Sequence, residues 1–318
     1  MISNQLQGKI KILRDQLLSA NRILVVSHLK PDGDAVGASL ALKLGIQALG
    51  KPVEVACLDT PPECFSFLPH FFNIRTAFAP QDFDAVIIVD CGDWVRTGFF
   101  TTSELQIDWP RHLAVIDHHC IQNLTPGLHI VDPTASSSAE LVFYVLKQWG
   151  IEITKDMATC LFAGISTDTG SFKHTNTNQE VLQLAGSLME KGANLSKIER
   201  YVYADKDLSK LRLWGRVLQK MHRNQRWNIL VAIITAQDLA ECEATDEDLE
   251  GAVDLMRTVP NVKAVILGSE RGAEFKFNLR TEDLEVDVSR LAALFGGGGH
   301  IKAAGFSLSA EEMKTLEG

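Results

Sequence analysis

The 318 residues predict an α/β protein: an N-terminal domain with a mainly parallel sheet flanked by helices, a helical linker, and a smaller C-terminal α/β domain with a mixed sheet. Three observations lead there. Short, continuous apolar runs at residues 22–26, 84–89 and 111–116 alternate with helical stretches, the pattern of parallel strands whose two faces are both covered by helices. Residues 178–218 keep helical spacing with breaks at Gly192 and Asp205, as a connector between lobes would. Residues 262–268 and 274–280 read as two strands joined by Ser269-Glu-Arg-Gly, a hairpin and therefore antiparallel. The domains are accordingly placed at 1–185 and 221–318, with the linker at 186–220.

Taken in order, residues 1–18 spread their charges at helical spacing and form an amphipathic helix rather than a signal peptide. Residues 22–26 are a β-branched strand, and 35–49 a helix stopped by Gly50. A second strand follows at 52–58. Residues 59–80, with four prolines, read as irregular. After the strands at 84–89 and 111–116 comes a short one at 128–131, then a helix opened by Ser137 with Glu140 three residues on, a capping-box spacing. A mostly apolar helix at 154–165 delivers Ser166-Thr-Asp168-Thr-Gly. In the second lobe, 227–235 is a strand, and 245–259 a single helix with Thr245 and Asp248 as its cap. Residues 286–295 form a short helix ending in Gly296-Gly-Gly-Gly-His300, before a final strand.

Composition narrows the function classes. At 46% hydrophobic residues the chain can bury substantial cores, and a net charge of −9 argues against a surface that is one broad nucleic-acid clamp. A small anionic substrate held by a few local cations fits better. Six cysteines occur without a C-x-x-C pair, and no apolar run approaches the roughly 18 residues of a spanning helix. A cytoplasmic protein with reduced thiols and no membrane contact is expected.

Four element ends carry side chains of metal-ligand type: His28, Asp32 and Asp34; Asp90; Asp117, His118 and His119; and Asp168. A single aspartate at a strand end caps a turn more often than it binds metal. Several carboxylates along one sheet edge, however, repel one another unless a cation lies between them. Mixed imidazole and carboxylate donors suit Mn, Zn or Fe better than Ca. More donors than one ion uses implies two ions, roughly 3.5–4 Å apart, sharing a carboxylate.

His28-x-x-x-Asp32-x-Asp34, Val-Asp90, Asp117-His118-His119 and Ser-Thr-Asp168-Thr-Gly resemble the four motifs of the DHH phosphoesterase superfamily, in order and at matching spacing. The Gly-Gly-Gly-His300 stretch is similar to the signature of the DHH-associated substrate-binding domain. The resemblance implies two divalent cations, Mn foremost with Mg, Co or Zn also compatible. It places His28, Asp32 and Asp90 on one ion and Asp34, Asp90, His118 and Asp168 on the other, with Asp90 shared. His119 would act beside the reacting phosphate, and Asp117 would orient an imidazole.

For substrate binding the resemblance points to Arg280, to Gly297, Gly298 and Gly299, and to His300 and Lys302. Thr281 stands where the family often has serine. Arg96 is a further candidate for a phosphate. His174 and Phe172 are weighed more as packing than as site residues, and His70, His112, His129 and His222 are expected to be packed or solvent-facing.

Within the superfamily, the chain resembles the compact two-domain nanoRNases that also act as pAp phosphatases. This implies hydrolysis of short single-stranded RNA to mononucleotides, with activity on 3′,5′-bisphosphorylated adenosine (pAp) and linear pApA. The alternatives are a cyclic-di-AMP phosphodiesterase and a non-catalytic nucleotide-binding regulator. Family members often form homodimers; the sequence itself carries no independent sign of one.

Overall fold

A computed structural model describes residues 3–98, 111–119, 126–204, 207–309 and 311–313. The chain divides into two compact units, Met1–Asp205 and Lys206–Gly318. The first is a six-stranded, wholly parallel sheet. Its strands are β1 (Ile23–Val26), β2 (Val53–Ala56), β3 (Ile74–Arg75), β4 (Ala85–Val89), β5 (His112–Asp117) and β6 (Leu128–Val131), in the order β3-β2-β1-β4-β5-β6. Every residue of β1 and β4 is buried, which is why they read as unbroken apolar runs.

The helices of this unit are α1 (Asn4–Ser19), α2 (Gly33–Ala48), α3 (Ser138–Gln148), α4 (Lys155–Asp168), α5 (Gln179–Glu190) and α6 (Leu195–Glu199). All six contribute buried side chains to one core, which they share with Ile23, Val25, Ile87 and Ile116 on one sheet face. The opposite face, with Leu24, Val26, Ile88 and Val115, packs among the described residues against Phe83, Phe78 and Trp94. Helices on both faces were expected; here loop aromatics close the second one, because β4 is entered and left through aromatic-rich turns.

The tightest helix pair is α2 on α4. A Cβ on Gly37 would stand 2.4 Å from the Cys160 carbonyl oxygen, and one on Gly164 would stand 2.8 Å from Asp34 Oδ1. Gly33 is the first residue of α2, where a Cβ would meet Thr167 of α4 at 2.4 Å. Close approach, not backbone freedom, is what these glycines provide.

The stretch 186–220 divides between the units. Ile198 of α6 is buried in the first core, whereas α7 (Leu208–Lys220) buries Leu213 and Val217 in the second. The second unit holds β7 (His222–Asn224), β8 (Ile229–Ile234), β9 (Ala264–Arg271), β10 (Glu274–Arg280), β11 (Gly298–His300) and β12 (Ala303–Ser309), ordered β11-β12-β10-β9-β8-β7. Only β8 and β9 pair in parallel, so the sheet is mixed. Its helices are α8 (Ala236–Glu241), α9 (Ala252–Arg257) and α10 (Val288–Leu294).

Three local expectations are corrected. The single helix at 245–259 is a 3₁₀ turn, Asp246–Leu249, followed by α9, because Gly251 takes φ +84° between them. The hairpin bends at Gly272, φ +63°, after β9 has run on to Arg271. Residues 59–80 contain the two-residue edge strand β3, too short to show a period.

Candidate metal centre

The order β3-β2-β1-β4-β5-β6 reverses direction between β1 and β4, and the crevice of such a sheet opens at the carboxyl ends of those two strands. His28 lies two residues past β1, Asp90 directly follows β4, and Asp117 ends β5. α4 brings Asp168 as its last residue. The motif residues of the first unit thus converge from four element ends, as the sequence led us to expect.

Asp90 sits at their centre, 2% exposed, with φ at +56°. That left-handed conformation is uncommon for a residue with a side chain. Its N–H still donates to the Ile116 carbonyl, so the carboxylate leaves the strand end turned into the crevice. Its two oxygens face different neighbours. Oδ2 lies 3.6 Å from His28 Nε2, while Oδ1 lies 3.7 Å from both His118 Nε2 and His119 Nδ1.

On the Oδ2 side, His28 Nδ1 donates to the Leu29 carbonyl at 2.7 Å, which fixes the tautomer and leaves Nε2 as the lone-pair nitrogen. Nε2 is also 4.0 Å from Asp32 Oδ1, the oxygen that caps α2 by accepting from the N–H groups of Asp34 and Ala35. On the Oδ1 side, His118 Nε2 is 3.5 Å from Asp168 Oδ2. Donor atoms of His28, Asp32 and Asp90 lie within 4.8 Å of one another; so do those of Asp34, His118 and Asp168, and those of Asp90, Asp117, His118 and His119.

Sequence reasoning missed Ser138. Its hydroxyl donates to Asp90 Oδ1 at 2.9 Å, and its N–H and that of Ala139 donate to the two oxygens of Asp34. The buried Asp34 carboxylate therefore caps α3 from outside, where the helix dipole favours negative charge. Ser137 does cap α3, but the Glu140 carboxylate reaches past it to the N–H and hydroxyl of Ser136, so the expected capping box is only half formed. The signal for Ser138 was the third of three consecutive serines, which capping alone does not need.

The electrostatics are those of a site short of positive charge. Burial, reinforced by the neighbouring carboxylates, pushes Asp32 and Asp34 up. Asp168 rises to about 6, again by burial first. Asp90 moves the other way: burial would raise it, but the hydrogen bond and charge of His28, with His118 and His119, hold it down. Burial lowers His28, yet the contact with Asp90 and the Leu29 carbonyl leave it raised. His119, whose Nδ1 donates to Asp117 Oδ1 at 2.8 Å, is raised to about 8 by that bond.

Among the described residues, the buried polar atoms without a hydrogen-bond partner include two in this crevice, His118 Nε2 and Asp117 Oδ2. An imidazole nitrogen facing two carboxylates fits a cation as their common partner. By their chemistry the residues present suit divalent metal.

Residues 22–165 match the DHH family, N-terminal domain, and residues 228–316 match the DHHA1 domain. Over 293 residues the chain is 30% identical to the bifunctional oligoribonuclease and PAP phosphatase NrnA of Thermus thermophilus, covering 92% of this chain and 85% of that one. The chain belongs to the DHH family. A solved structure of similar fold is the exopolyphosphatase-related protein from Bacteroides fragilis, with a TM-score of 0.89 at 29% identity over 98% of this chain and 95% of that one. RecJ of Thermus thermophilus in complex with Mn2+ shares the fold, with a TM-score of 0.54 at 15% identity over all of this chain and 54% of that one.

The C-terminal candidates lie on the second sheet. Arg280 pairs with Ala303, and Ala303 with the exposed His300, so both side chains stand on one face in one cross-strand row. Gly297 and Gly299 are demanded by packing: a Cβ on either would come within 2.5 Å of the β12 backbone. Lys302 is committed elsewhere, its ammonium donating to the carbonyls of Asp283 and Val286. Thr281 is buried and donates to the Lys263 carbonyl. Arg96 is exposed, and its carbonyl accepts from Leu29 N–H beside His28. His174 meets the Asp168 carbonyl at 3.3 Å, and the Phe172 ring packs on Phe162.

Proposed function

We propose that the chain is a divalent-metal-dependent phosphoesterase that hydrolyses short oligoribonucleotides to mononucleotides and removes the 3′-phosphate of pAp. The observation that carries the catalytic part is the division of the Asp90 oxygens between two donor sets. The substrate class follows the named activity of the Thermus thermophilus relative, over nearly the whole chain.

We assign His28, Asp32 and Asp90 to one cation and Asp34, Asp90, His118 and Asp168 to the other, with Mn as the preferred ion for this donor set. When bound, two such cations supply Lewis acidity at the phosphoryl oxygens and bring water toward deprotonation near neutral pH. The protein's own residues do the rest. Ser138 and the α3 amides fix Asp90 and Asp34, so the carboxylates are preorganised. Asp117 holds His119 by Nδ1, leaving Nε2 free to carry a proton for the departing oxygen. Arg280 and His300 recognise a terminal phosphate, for which a planar guanidinium beside an imidazole is well suited.

End-labelled RNA of two to five nucleotides and of about 25, with pAp, pApA and cyclic-di-AMP alongside, tests this with Mn and with Mg. The expected order is short RNA and pAp ahead of long RNA and cyclic-di-AMP, with Mn ahead of Mg. A preference for long strands, or cyclic-di-AMP as the best substrate, overturns it.

A further inference from the structure

Asp168 stands where a carboxylate is hard to keep. It is the last residue of α4, so its charge lies at the negative end of the helix dipole, among carbonyls that lack partners within the helix. Directly after it the chain makes a left-handed turn: Gly170, Ser171 and Phe172 take φ of +55°, +58° and +63° in succession. Glycine accepts that region freely, whereas serine and phenylalanine do not. Such conformations persist only where the surroundings over-determine them, and they gather at functional sites.

The bonds around this turn are numerous. The Thr169 hydroxyl donates to the Ile165 carbonyl at 2.6 Å and accepts the Phe172 N–H at 3.2 Å. The Ser171 N–H donates to the Ser166 carbonyl at 2.7 Å, and the Ser171 hydroxyl donates to Glu199. The Phe172 ring meets Phe162 of α4 edge-on, 5.6 Å between centroids.

Two side chains from farther along the chain reach the same end of α4. The Tyr203 hydroxyl donates to the Ser166 carbonyl at 3.0 Å. Burial raises this phenol to about 12, so it stays a donor at any working pH. Asn176 Nδ2 donates to the Asp168 carbonyl at 3.2 Å and to the Ser136 carbonyl at 2.9 Å. Ser136 stands two residues before Ser138, whose N–H and hydroxyl hold Asp34 and Asp90. One amide group therefore ties the helix end that carries Asp168 to the helix start that holds the other two carboxylates. Glu199 and Tyr203 belong to one short stretch, since Glu199 ends α6 and Arg200–Ala204 continue it as a π-helix. Widened turns of that kind are rare and recur at functional sites.

We propose that Tyr203 and Asn176 are positioning residues of the metal centre, fixing the carbonyl frame at the end of α4 and, through it, the Asp168 carboxylate 3.5 Å from His118 Nε2. Neither residue touches a cation or the substrate. The inference rests on the two-cation reading above and adds the residues on which one of its two ion sites depends. The role of Tyr203 separates the two ions, because its bond supports α4, which carries Asp168 but none of His28, Asp32 and Asp90.

Calorimetric titration of the full chain with Mn, wild type against Asp168→Asn, Tyr203→Phe and Asn176→Ala, tests the proposal. Wild type is expected to bind two ions, and Asp168→Asn marks the one that needs that carboxylate. Tyr203→Phe and Asn176→Ala should each weaken the same ion by about 10–100-fold, the usual effect of losing an outer hydrogen-bond partner. For Tyr203→Phe the affinity of the other ion should stay within about twofold. At saturating Mn, kcat for pAp should return to within about twofold of wild type in both variants, which loss of a group acting on the substrate would not allow. Tyr203→Phe keeps the ring and its packing, so it decides the matter even where Asn176→Ala does not fold. Equal weakening of both ions by Tyr203→Phe, or of neither, overturns the positioning role and leaves the two-cation reading standing. Wild-type protein that binds fewer than two ions, or an Asp168→Asn protein that binds both as wild type does, overturns that reading as well.

Discussion

At the scale of single residues, Asp90 concentrates the candidate chemistry of the first unit and also takes a left-handed backbone conformation. Replacing it by alanine would confuse the two, since alanine is poorly suited to φ +56°. Asparagine tolerates that region and keeps the shape while removing the charge. Asp90→Asn is therefore expected to abolish metal-dependent turnover with an unchanged circular-dichroism spectrum. Ser138→Ala removes only the hydroxyl bond to Asp90 and keeps the N–H to Asp34, so a loss of about 10–100-fold in metal affinity is expected. Isothermal titration with Mn measures both; an Asp90→Asn protein that still binds two ions, or a Ser138→Ala protein that binds as wild type does, contradicts the geometry. The candidate metal ligands were legible in the sequence because they cluster at or shortly after the ends of apolar runs. Ser138 was not, because it stands in a run of three serines at a helix start, and the capping role of Ser137 draws attention away from its neighbour. Lys302 misled for the opposite reason: its charge beside the glycines suggested substrate, yet two carbonyls hold it.

Among the elements, α8 shows what a strong local signal looks like when it is overlooked. Thr235 and Asp238 form a complete capping box, and the Asp238 carboxylate also receives Arg216 at 3.0 Å and Lys220 from α7. Burial would raise this carboxyl, but those bonds and the Thr235 N–H and hydroxyl outweigh it and hold it at about 2. A carboxyl depressed in the folded state contributes stability above its unfolded value near 4, and that contribution fades as pH falls from about 4 to about 2. Asp238→Asn should therefore cost about 1–2 kcal/mol at pH 7, after discounting the half-exposed cations for solvent screening, and much less at pH 2.5. Urea unfolding followed by Trp214 fluorescence, on α7 itself, measures the difference; an equal loss at both pH values removes the charge from the explanation. Length decided which elements could be read. β1 and β4 are buried throughout and β5 nearly so, and they announce themselves, while β7, three exposed residues long, has neither apolar content nor period. The break at Gly251 was hidden because the residues on either side of it continue one helical pattern.

For the whole molecule, the division of labour between the units makes the metal and substrate readings separable. The candidate metal-site residues fall between His28 and Asp168 in the first unit, and its two buried cores contain only residues of that unit. The candidate substrate residues from Arg280 to Lys302 belong to the second. A ligand stabilises what it binds by RT ln(1 + [L]/Kd), about 2.7 kcal/mol at a hundredfold excess over Kd. With Mn at that excess, amides of β1, β4, β5 and α4 that exchange through opening of the first unit should slow by about a hundredfold. Those of β8, β9 and β10 should keep their rates. Hydrogen exchange read by mass spectrometry on the full chain distinguishes the two, and uniform protection of both sheets, or protection confined to the second, would place the cations outside the crevice between β1 and β4. The same experiment with pApA in the Asp90→Asn protein reverses the expectation: without a complete metal centre, protection should appear on β10, β11 and β12 if, as proposed, Arg280 and His300 hold a phosphate there.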